Sequence, residues 1–390
     1  FTRILQILTR DKNIKDRVVP IIPDEARTFG MEGMFRSLGI YSPVGQLFVP
    51  EDSDQLAFYK ESVKGQILEE GITEAGAMSS FIAAATAYSN HGKTMIPFYA
   101  FYSMFGFQRV GDFCWAAGDM RARGFLLGGT AGRTTINGEG LQHQDGHSHV
   151  LFDCVPNCRA YDPTFSYEMA VIMHRGLVEM FEEQRDVYYY LTMMNENYAH
   201  PPMPEGVEDD IIAGMYQFSQ SGADKELQVN LLGSGTILNE VIAAAEMLEN
   251  EFEVGTTVWS APSFTQLKRD GASVERWNML HPEEEPKQSF VAKKFADAKG
   301  PAIAATDYVR GLPEMIRPYL PVAYHTLGTD GYGRSDTREA LREFFEVDRR
   351  WITVCALKAL ADEGKIERKV VGEAIRKYGI DPDKPEPITH

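Results

Sequence analysis

Hydrophobic positions in the first half of the chain fall into two recurring patterns. Short apolar runs rich in Val, Ile and aromatic residues predict buried strands, and the longer segments between them have apolar residues at helical spacing. The strand-like runs are "RVVPIIP", "TMIPFYAFY", "GFLLGG" and "DVYYYLTMM", and the helical patterns are "TFGMEGMFRSLG" and "VGDFCWAAGDMRAR". This alternation indicates βαβ units and a parallel sheet covered on both faces.

A break in the pattern follows at residues 197–210, "NYAHPPMPEGVEDD", whose prolines and acidic residues are typical of a linker. The alternation then restarts with "VNLLGSGT", "ILNEVIAAAEMLENEF", "TTVWSAP", "PAIAATDY", "AYHTLGTDG", "TREALREFF" and "RRWITVCALKALADEGK". We therefore predict an α/β protein with a second parallel-sheet domain after the linker. "LLGSGT" lacks both GxGxxG and a P-loop lysine, so we interpret it as an ordinary turn between strand and helix.

Charge and cysteine content narrow the function classes. The net charge of −17 argues against nucleic acid as the main partner, because a phosphate backbone requires clustered Lys and Arg. No run of eighteen apolar residues is present, so no membrane span is predicted. The four cysteines lack paired spacings, which favours free thiols and a cytoplasmic location. Cys154 and Cys158 form a CxxxC pair that could bind metal, and two free thiols are the simpler interpretation.

The segment 71–92, "GITEAGAMSSFIAAATAYSNHG", predicts a helix with Thr73 as N-cap and Glu74 in its first turn. Two interpretations of Glu74 stay open. The carboxylate complements the helix dipole, which is worth about 0.3–1 kcal/mol when exposed. Alternatively it is buried near a ligand, with a pKa raised by desolvation.

Six aromatic residues occur within ten positions of "PFYAFYSMFGFQR": Phe98, Tyr99, Phe101, Tyr102, Phe105 and Phe107. Alternation along a strand cannot place all of them in one core, so we expect some to line a cleft suited to a planar heterocycle. A core combined with a dimer interface explains the aromatic residues equally well.

The stretch "NGEGLQHQDGHSH", residues 137–149, is too polar and too rich in Gly for the interior of a helix or strand. His143, His147 and His149, with Glu139 or Asp145, could ligate zinc. Histidines in Gly-rich loops can also act as proton donors, and His149 begins an apolar run that is typical of a structural residue. Ligands bind beyond the carboxyl ends of parallel strands, so we expect this stretch, "DEART" and "YSMFGF" to converge on one crevice.

Several segments together closely resemble the homodimeric type of pyruvate dehydrogenase, the thiamine-diphosphate-dependent component of the pyruvate dehydrogenase complex. They are "IIPDEARTFGMEGMF", "GITEAGAM", "MIPFYAFYSMFGFQR", "CWAAGDMRARGFLLGGTAGRTTINGEGLQHQDGHSH", "LLGSGT", "SFTQLKRDG", "RWNMLHP" and "TDGYGRSDTREALR". The resemblance runs through nearly the whole chain. It implies a transketolase-like pyrimidine-binding domain at 1–200, a linker at 201–210 and a transketolase-type C-terminal domain at 211–390.

The same resemblance implies roles for particular residues. Glu74 matches the glutamate that hydrogen-bonds the cofactor's aminopyrimidine ring, and Tyr102 and Phe105 match positions beside that ring. His143, with Glu139 beside it, matches a catalytic loop that takes part in pyruvate addition and lipoyl acetylation. Asp24 and Glu25 match an acidic pair facing the substrate, beside His143 and Tyr102.

One feature of such enzymes is missing from this sequence. They hold magnesium and the diphosphate with a GDG motif followed by Asn, and no GDG occurs among the 390 residues. We therefore expect no metal ligands here and a diphosphate-binding domain on a preceding segment or a separate chain. The implied partners are a second copy of the chain and the lipoyl domain of dihydrolipoyl acetyltransferase.

Three alternatives to this function remain. Transketolase-like two-carbon transfer shares both domains and would require phosphate-binding Arg and His residues that the sequence does not reveal. A zinc-dependent hydrolase would use His143, His147 and His149. A non-catalytic scaffold would dimerise and dock on an acyltransferase core, but the presence of both Glu74 and His143 argues against it.

Overall fold

The computed structural model describes residues 1–23, 26–27, 29–51, 59–138 and 140–389. Asp24, Glu25 and Glu139, which the family resemblance assigns to the site, lie outside the described residues. The strands are β1 (Val18–Ile22), β2 (Ile40–Tyr41), β3 (Glu61–Ser62), β4 (Leu68–Glu69), β5 (Ile96–Tyr102), β6 (Phe125–Gly129), β7 (Cys158–Tyr161), β8 (Tyr188–Thr192), β9 (Tyr216–Ser221), β10 (Leu227–Gly233), β11 (Val254–Ser260), β12 (Ala302–Ala305) and β13 (Tyr324–Leu327).

The helices alternate with these strands, as the sequence pattern predicts. They are α1 (Thr2–Leu8), α2 (Glu32–Leu38), α3 (Glu74–Ala85), α4 (Ala87–Asn90), α5 (Phe107–Asp119), α6 (Ser148–Phe152), α7 (Ser166–Leu177), α8 (Glu208–Ala213), α9 (Ile237–Phe252), α10 (Phe264–Leu280), α11 (Phe290–Lys294), α12 (Arg338–Phe344), α13 (Arg349–Asp362) and α14 (Arg368–Lys377). Short 3-10 turns lie at Lys15–Arg17, Ser103–Phe105, Pro313–Tyr319 and Pro387–Thr389, and a π-helical turn lies at Val178–Glu182.

A six-stranded sheet has the order β4-β1-β5-β6-β8-β7. β1 pairs in parallel with β4 and β5, β5 with β6, and β6 with β8. β1, β6 and β8 are buried along their whole length, which explains their continuous apolar sequences. Phe98 of β5 stacks on Phe125 of β6 with ring centroids 4.8 Å apart, so the aromatic run supplies core packing.

A five-stranded sheet has the order β13-β12-β10-β11-β9. The pairs β13-β12, β12-β10 and β10-β11 are parallel, and β9 pairs with β11 in the antiparallel direction. The predicted parallel sheet is therefore confirmed for four strands. The edge strand β9 escaped prediction because its sequence "YQFSQS" is largely polar, as expected for a strand with one solvated face.

Helices cover both faces of the five-stranded sheet. Leu231 belongs to a buried cluster with α9 and α13, whereas its neighbour Leu232 belongs to a cluster with α10 and α11. Consecutive residues of a strand point to opposite faces, so β10 contributes to two cores. This arrangement is the doubly covered α/β architecture that the sequence predicts.

The chain forms two compact units, and each is built from discontinuous segments. The first contains Phe1–Gly129, Leu151–Arg159 and Met173–Met193, and the second contains Thr130–Val150, Ala160–Ile172 and Met194–His390. The boundaries 1–200, 201–210 and 211–390 divide the chain by sequence and stay a prediction.

Candidate active site

Glu74 begins helix α3, in the first compact unit. Thr73 is the N-cap, as predicted, and its hydroxyl accepts a hydrogen bond from the Gly76 backbone N–H at 3.3 Å. A Cβ at position 76 would lie 3.0 Å from Thr73 Cγ2, so glycine leaves the space that this cap needs. The capped helix therefore fixes where the Glu74 side chain begins, with its carboxylate beside the positive end of the helix dipole.

The Glu74 carboxylate is ion-paired. Its Oε1 lies 2.9 Å from Nη1 of Arg109, in the first turn of α5, and the side chains of Glu74 and Arg109 are 19% and 44% exposed. Among the described residues, Oε2 has no hydrogen-bond partner. One carboxylate oxygen is thus held by a cation while the other can accept a hydrogen bond from a ligand.

An aromatic ring packs on the arginine of this ion pair and leads to two further rings. Arg109 Cζ lies 4.0 Å from the ring centroid of Phe105, a cation–π contact, and Phe105 packs edge-on against Tyr102 with centroids 6.1 Å apart. Tyr102 also contacts Phe29 at 5.4 Å. The structure therefore brings together Glu74, Tyr102 and Phe105, with Arg109 as the link between the carboxylate and the rings.

Glycine at position 129 is required by this aromatic packing. It is the last residue of β6, and a Cβ there would lie 2.2 Å from a ring carbon of Phe29. Tyr102 is half-buried at the end of β5, whereas Phe98, Tyr99, Phe101 and Phe105 are buried. The aromatic run thus serves mainly as core.

Tyr99 is a buried tyrosine of this core, near Glu74. Burial, with a smaller contribution from the Glu74 carboxylate, raises the pKa of the Tyr99 hydroxyl well above its ordinary value. Tyr99 is therefore neutral at physiological pH and contributes packing and polarity beside Glu74.

The histidine stretch lies in the second compact unit. His143 and His147 are half-buried, and Asp145 Oδ1 accepts hydrogen bonds from the backbone N–H groups of His147 and Ser148, both at 2.9 Å. These bonds cap the short helix α6 at its N-terminus. Because "DEART" and "YSMFGF" belong to the first unit, the predicted convergence of this stretch with them stays a prediction.

His149 differs from its neighbours in environment. It is 2% exposed, and its ring packs edge-on against Tyr308 with centroids 4.8 Å apart. Burial, opposed by the Asp145 carboxylate, lowers the pKa of His149 to about 4. His149 is thus a neutral core histidine, which is the structural interpretation of the sequence.

Metal ligation finds no support in the described part of the chain, where no three His, Cys, Asp or Glu side chains are grouped closely enough to hold an ion. All four cysteines are free thiols, and Cys154 is exposed while Cys158 is buried. None of the helices within the described ranges is long and apolar enough to cross a bilayer.

Two polar groups beside these residues were not predicted. Arg109 had no sequence signal, because its partner Glu74 lies 35 positions away. Asp307 is buried beyond the end of β12 and accepts hydrogen bonds from Thr134 and Thr135, which precede the histidine stretch. The string "AATDY" places an acid directly after an apolar strand, and that position was the one available hint.

Known proteins share both the sequence and the fold. A model described as the pyruvate dehydrogenase E1 component middle domain matches residues 1–201, and one described as the transketolase-like C-terminal domain matches residues 214–348. A pyruvate dehydrogenase E1 component from Cupriavidus necator is 64% identical over all 390 residues. The chain spans 44% of the length of that relative.

Solved transketolases have the same fold at low sequence identity. The enzyme from Campylobacter jejuni superposes with a TM-score of 0.65 at 18% identity, covering 92% of this chain and 45% of that one. A structure described as a split gene transketolase, an inactive β4 tetramer, gives a TM-score of 0.60 at 14% identity, covering 92% of this chain and 96% of that one. Fold and sequence together define a transketolase-like α/β protein.

Within that class, the chain belongs to the pyruvate dehydrogenase E1 component family.

Proposed function

We propose that this chain takes part in the thiamine-diphosphate-dependent oxidative decarboxylation of pyruvate, with reductive acetylation of the lipoyl group of dihydrolipoyl acetyltransferase. Membership in the E1 component family supports the reaction class. The observation that carries the proposal is the grouping of Glu74 with Tyr102 and Phe105 at the ends of neighbouring elements. The low identity of the solved transketolases gives no argument for sugar-phosphate transfer.

The chemistry of this group fits an aminopyrimidine ring. The ring is planar and carries polar nitrogens at its edge, and the site offers aromatic side chains together with the Glu74 carboxylate, which Arg109 links to them. When bound, thiamine diphosphate supplies an electron sink for the decarboxylation. Glu74 would accept and share a proton at a ring nitrogen, and Tyr102 and Phe105 would hold the ring and exclude water.

His143 is proposed as the group that moves protons at the lipoyl disulfide. Opening that disulfide leaves a thiolate that needs a proton, and a protonated imidazole can donate one. Half-burial at a loop with exposed neighbours Leu141 and Gln142 supports access for an incoming side chain. Asp24, Glu25 and Glu139 are proposed as acidic partners of His143 and Tyr102 from the family resemblance.

Further domains and partners belong to the same proposal. Residues 1–200 form the pyrimidine-binding domain, 201–210 the linker and 211–390 the C-terminal domain. Magnesium and the diphosphate are held mainly by a domain on a preceding segment or a separate chain, and the active form is a homodimer that binds the acetyltransferase. The free state of every cysteine supports a cytoplasmic location.

Glu74→Gln in the complete enzyme tests this proposal. A neutral amide cannot share the ring proton, so proton exchange at the thiazolium carbon of bound cofactor should slow by about 10²–10⁴-fold. Glu70→Gln is the matched control, because Glu70 is a half-buried carboxylate four positions away that accepts from the Ser80 hydroxyl at 2.5 Å. Exchange at the parental rate in Glu74→Gln would contradict the proposal.

A further inference from the structure

The segment that leads to the histidine stretch occupies a ligand-binding position of the second sheet. Chain order reverses between β10 and β12, since β11 lies on one side of β10 and β12 on the other. In open α/β sheets, ligands bind beyond the carboxyl ends of strands at such a point. Here Thr134 and Thr135 fill it, bonded to Asp307 after β12 and to Thr236 after β10.

Asp307 accepts three hydrogen bonds from the chain at this point. Asp307 Oδ1 accepts from the Thr134 backbone N–H at 2.8 Å and from the Thr134 hydroxyl at 2.7 Å, and Oδ2 accepts from the Thr135 hydroxyl at 2.5 Å. Residues 130–136 are all buried. A residue that follows a strand of this sheet therefore holds a segment of the same chain at the position where other α/β proteins bind a small molecule.

Gln144 forms a second set of buried hydrogen bonds, at the end of the loop that runs from Ile136 to Gln144 and contains His143. Its side chain is fully buried, Nε2 donates to the Ile136 carbonyl at 3.1 Å, and Oε1 accepts from the Arg334 backbone N–H at 2.5 Å. A Cβ at Gly333 would lie 2.8 Å from both Cβ and Oε1 of Gln144, so glycine leaves the space that the Gln144 side chain occupies. The Gln144 side chain thus hydrogen-bonds Ile136, at the other end of this loop, and Arg334, in the segment after β13.

His143 directly precedes Gln144 in the chain. Leu141 and Gln142 are exposed, His143 is half-buried, and Gln144–Gly146 are buried, so the chain turns inward at His143. Both ends of the loop, Ile136 and Gln144, are held by buried hydrogen bonds. A shift of the loop by about 1 Å can cost a catalytic group 10²-fold in rate.

We propose that Gln144 is a positioning residue that fixes the reach of His143. This inference rests on the proposed function of His143. In this arrangement the two amide hydrogen bonds hold the loop in one conformation before substrate arrives, so that the imidazole needs no reordering when it donates its proton.

Gln144→Met in the complete enzyme removes both hydrogen bonds at nearly constant side-chain length. The expected result is a fall of about 10- to 100-fold in kcat for acetylation of an isolated lipoyl domain, with KM for pyruvate unchanged. Amide hydrogen exchange in residues 333–337 should accelerate, because the Arg334 N–H loses its acceptor. Gln142→Met is the matched control: it is the same substitution on the exposed side of His143 and should change neither measurement.

A double-mutant cycle with His143→Ala separates positioning from general stability. If Gln144 acts through His143, Gln144→Met should lower kcat much less in the His143→Ala background than in the parent. Equal losses in both backgrounds would overturn the inference. An unchanged kcat in His143→Ala itself would instead refute the proposed function. Should Gln144→Met fail to fold, Gln144→Glu carries the same test, since it keeps the acceptor for Arg334 and loses the donor to Ile136.

Discussion

The site around Glu74 and the segment from Thr130 to His149 both follow strands, but they are held by different contacts. Glu74 has one ion pair, to an arginine that is 44% exposed, in addition to its helix cap. Asp307 and Gln144, by contrast, are fully buried and make all their hydrogen bonds to other parts of the second unit. Solvent screens the first kind of contact and leaves the second kind strong.

This difference has a functional meaning. A carboxylate that must exchange a proton with a ligand benefits from weak, adjustable partners, whereas a histidine on a Gly-rich loop needs a rigid support. Under the proposed function, the first compact unit presents the proton-exchanging carboxylate, and the second unit fixes the loop that carries His143.

Asp307→Ala should have the largest effect on stability. Three donors, the Thr134 N–H and the hydroxyls of Thr134 and Thr135, would lose their acceptor in a buried site. At about 1–3 kcal/mol for each unsatisfied donor, we expect the free energy of unfolding to fall by about 3–5 kcal/mol. Urea unfolding measures this loss. Asp307→Asn, which keeps one acceptor oxygen, should lose less, and equal losses in the two variants would weaken the hydrogen-bond argument.

His149 should make the stability of the second unit depend on pH. Burial lowers its pKa in the folded state to about 4, below the ordinary value of 6.5, so the unfolded chain binds the proton first as the pH falls. Its contribution is complete above pH 6.5 and is lost between pH 6.5 and about 4. The expected loss at pH 5 is about 2 kcal/mol.

Unfolding measured at pH 7.5 and pH 5 in the parent and in His149→Gln checks this prediction. The variant should lose less stability on acidification than the parent does. His147→Gln is the control, because His147 is half-buried two positions away. The same pH dependence in parent and His149→Gln would show that other groups control the acid response.

Arg109→Met should have the smallest effect on stability. An exposed ion pair contributes about 0.2–1 kcal/mol, and an exposed cation–π contact contributes a similar amount. We expect the free energy of unfolding to fall by about 1 kcal/mol or less, and the coupling energy between Arg109→Met and Glu74→Gln to be below about 1 kcal/mol. If Arg109→Met lowered the free energy of unfolding as much as Asp307→Ala does, the Glu74–Arg109 contact would be as strong as the buried Asp307 contacts, and this prediction would be wrong.

The sequence by itself determined the local elements and their class. Apolar runs of Val, Ile and aromatic residues predicted β1, β5, β6 and β8, and the segment "ILNEVIAAAEMLENEF" coincides with α9. The N-cap at Thr73 was also predictable. These features depend on neighbours within a few positions, where side-chain periodicity and capping chemistry act directly.

Tertiary structure alone decided which polar groups meet. The pairing of Glu74 with Arg109 spans 35 positions, that of Thr134 with Asp307 spans 173, and that of Gln144 with Arg334 spans 190. No periodicity links residues so far apart, and their partners are set by the order of strands in a sheet. The polar strand β9 escaped prediction for a related reason, since pairing with β11 rather than its own apolar pattern makes it a strand. Local chemistry therefore determined the helices and strands, and the order of strands in the sheets determined which distant residues lie near Glu74 and His143.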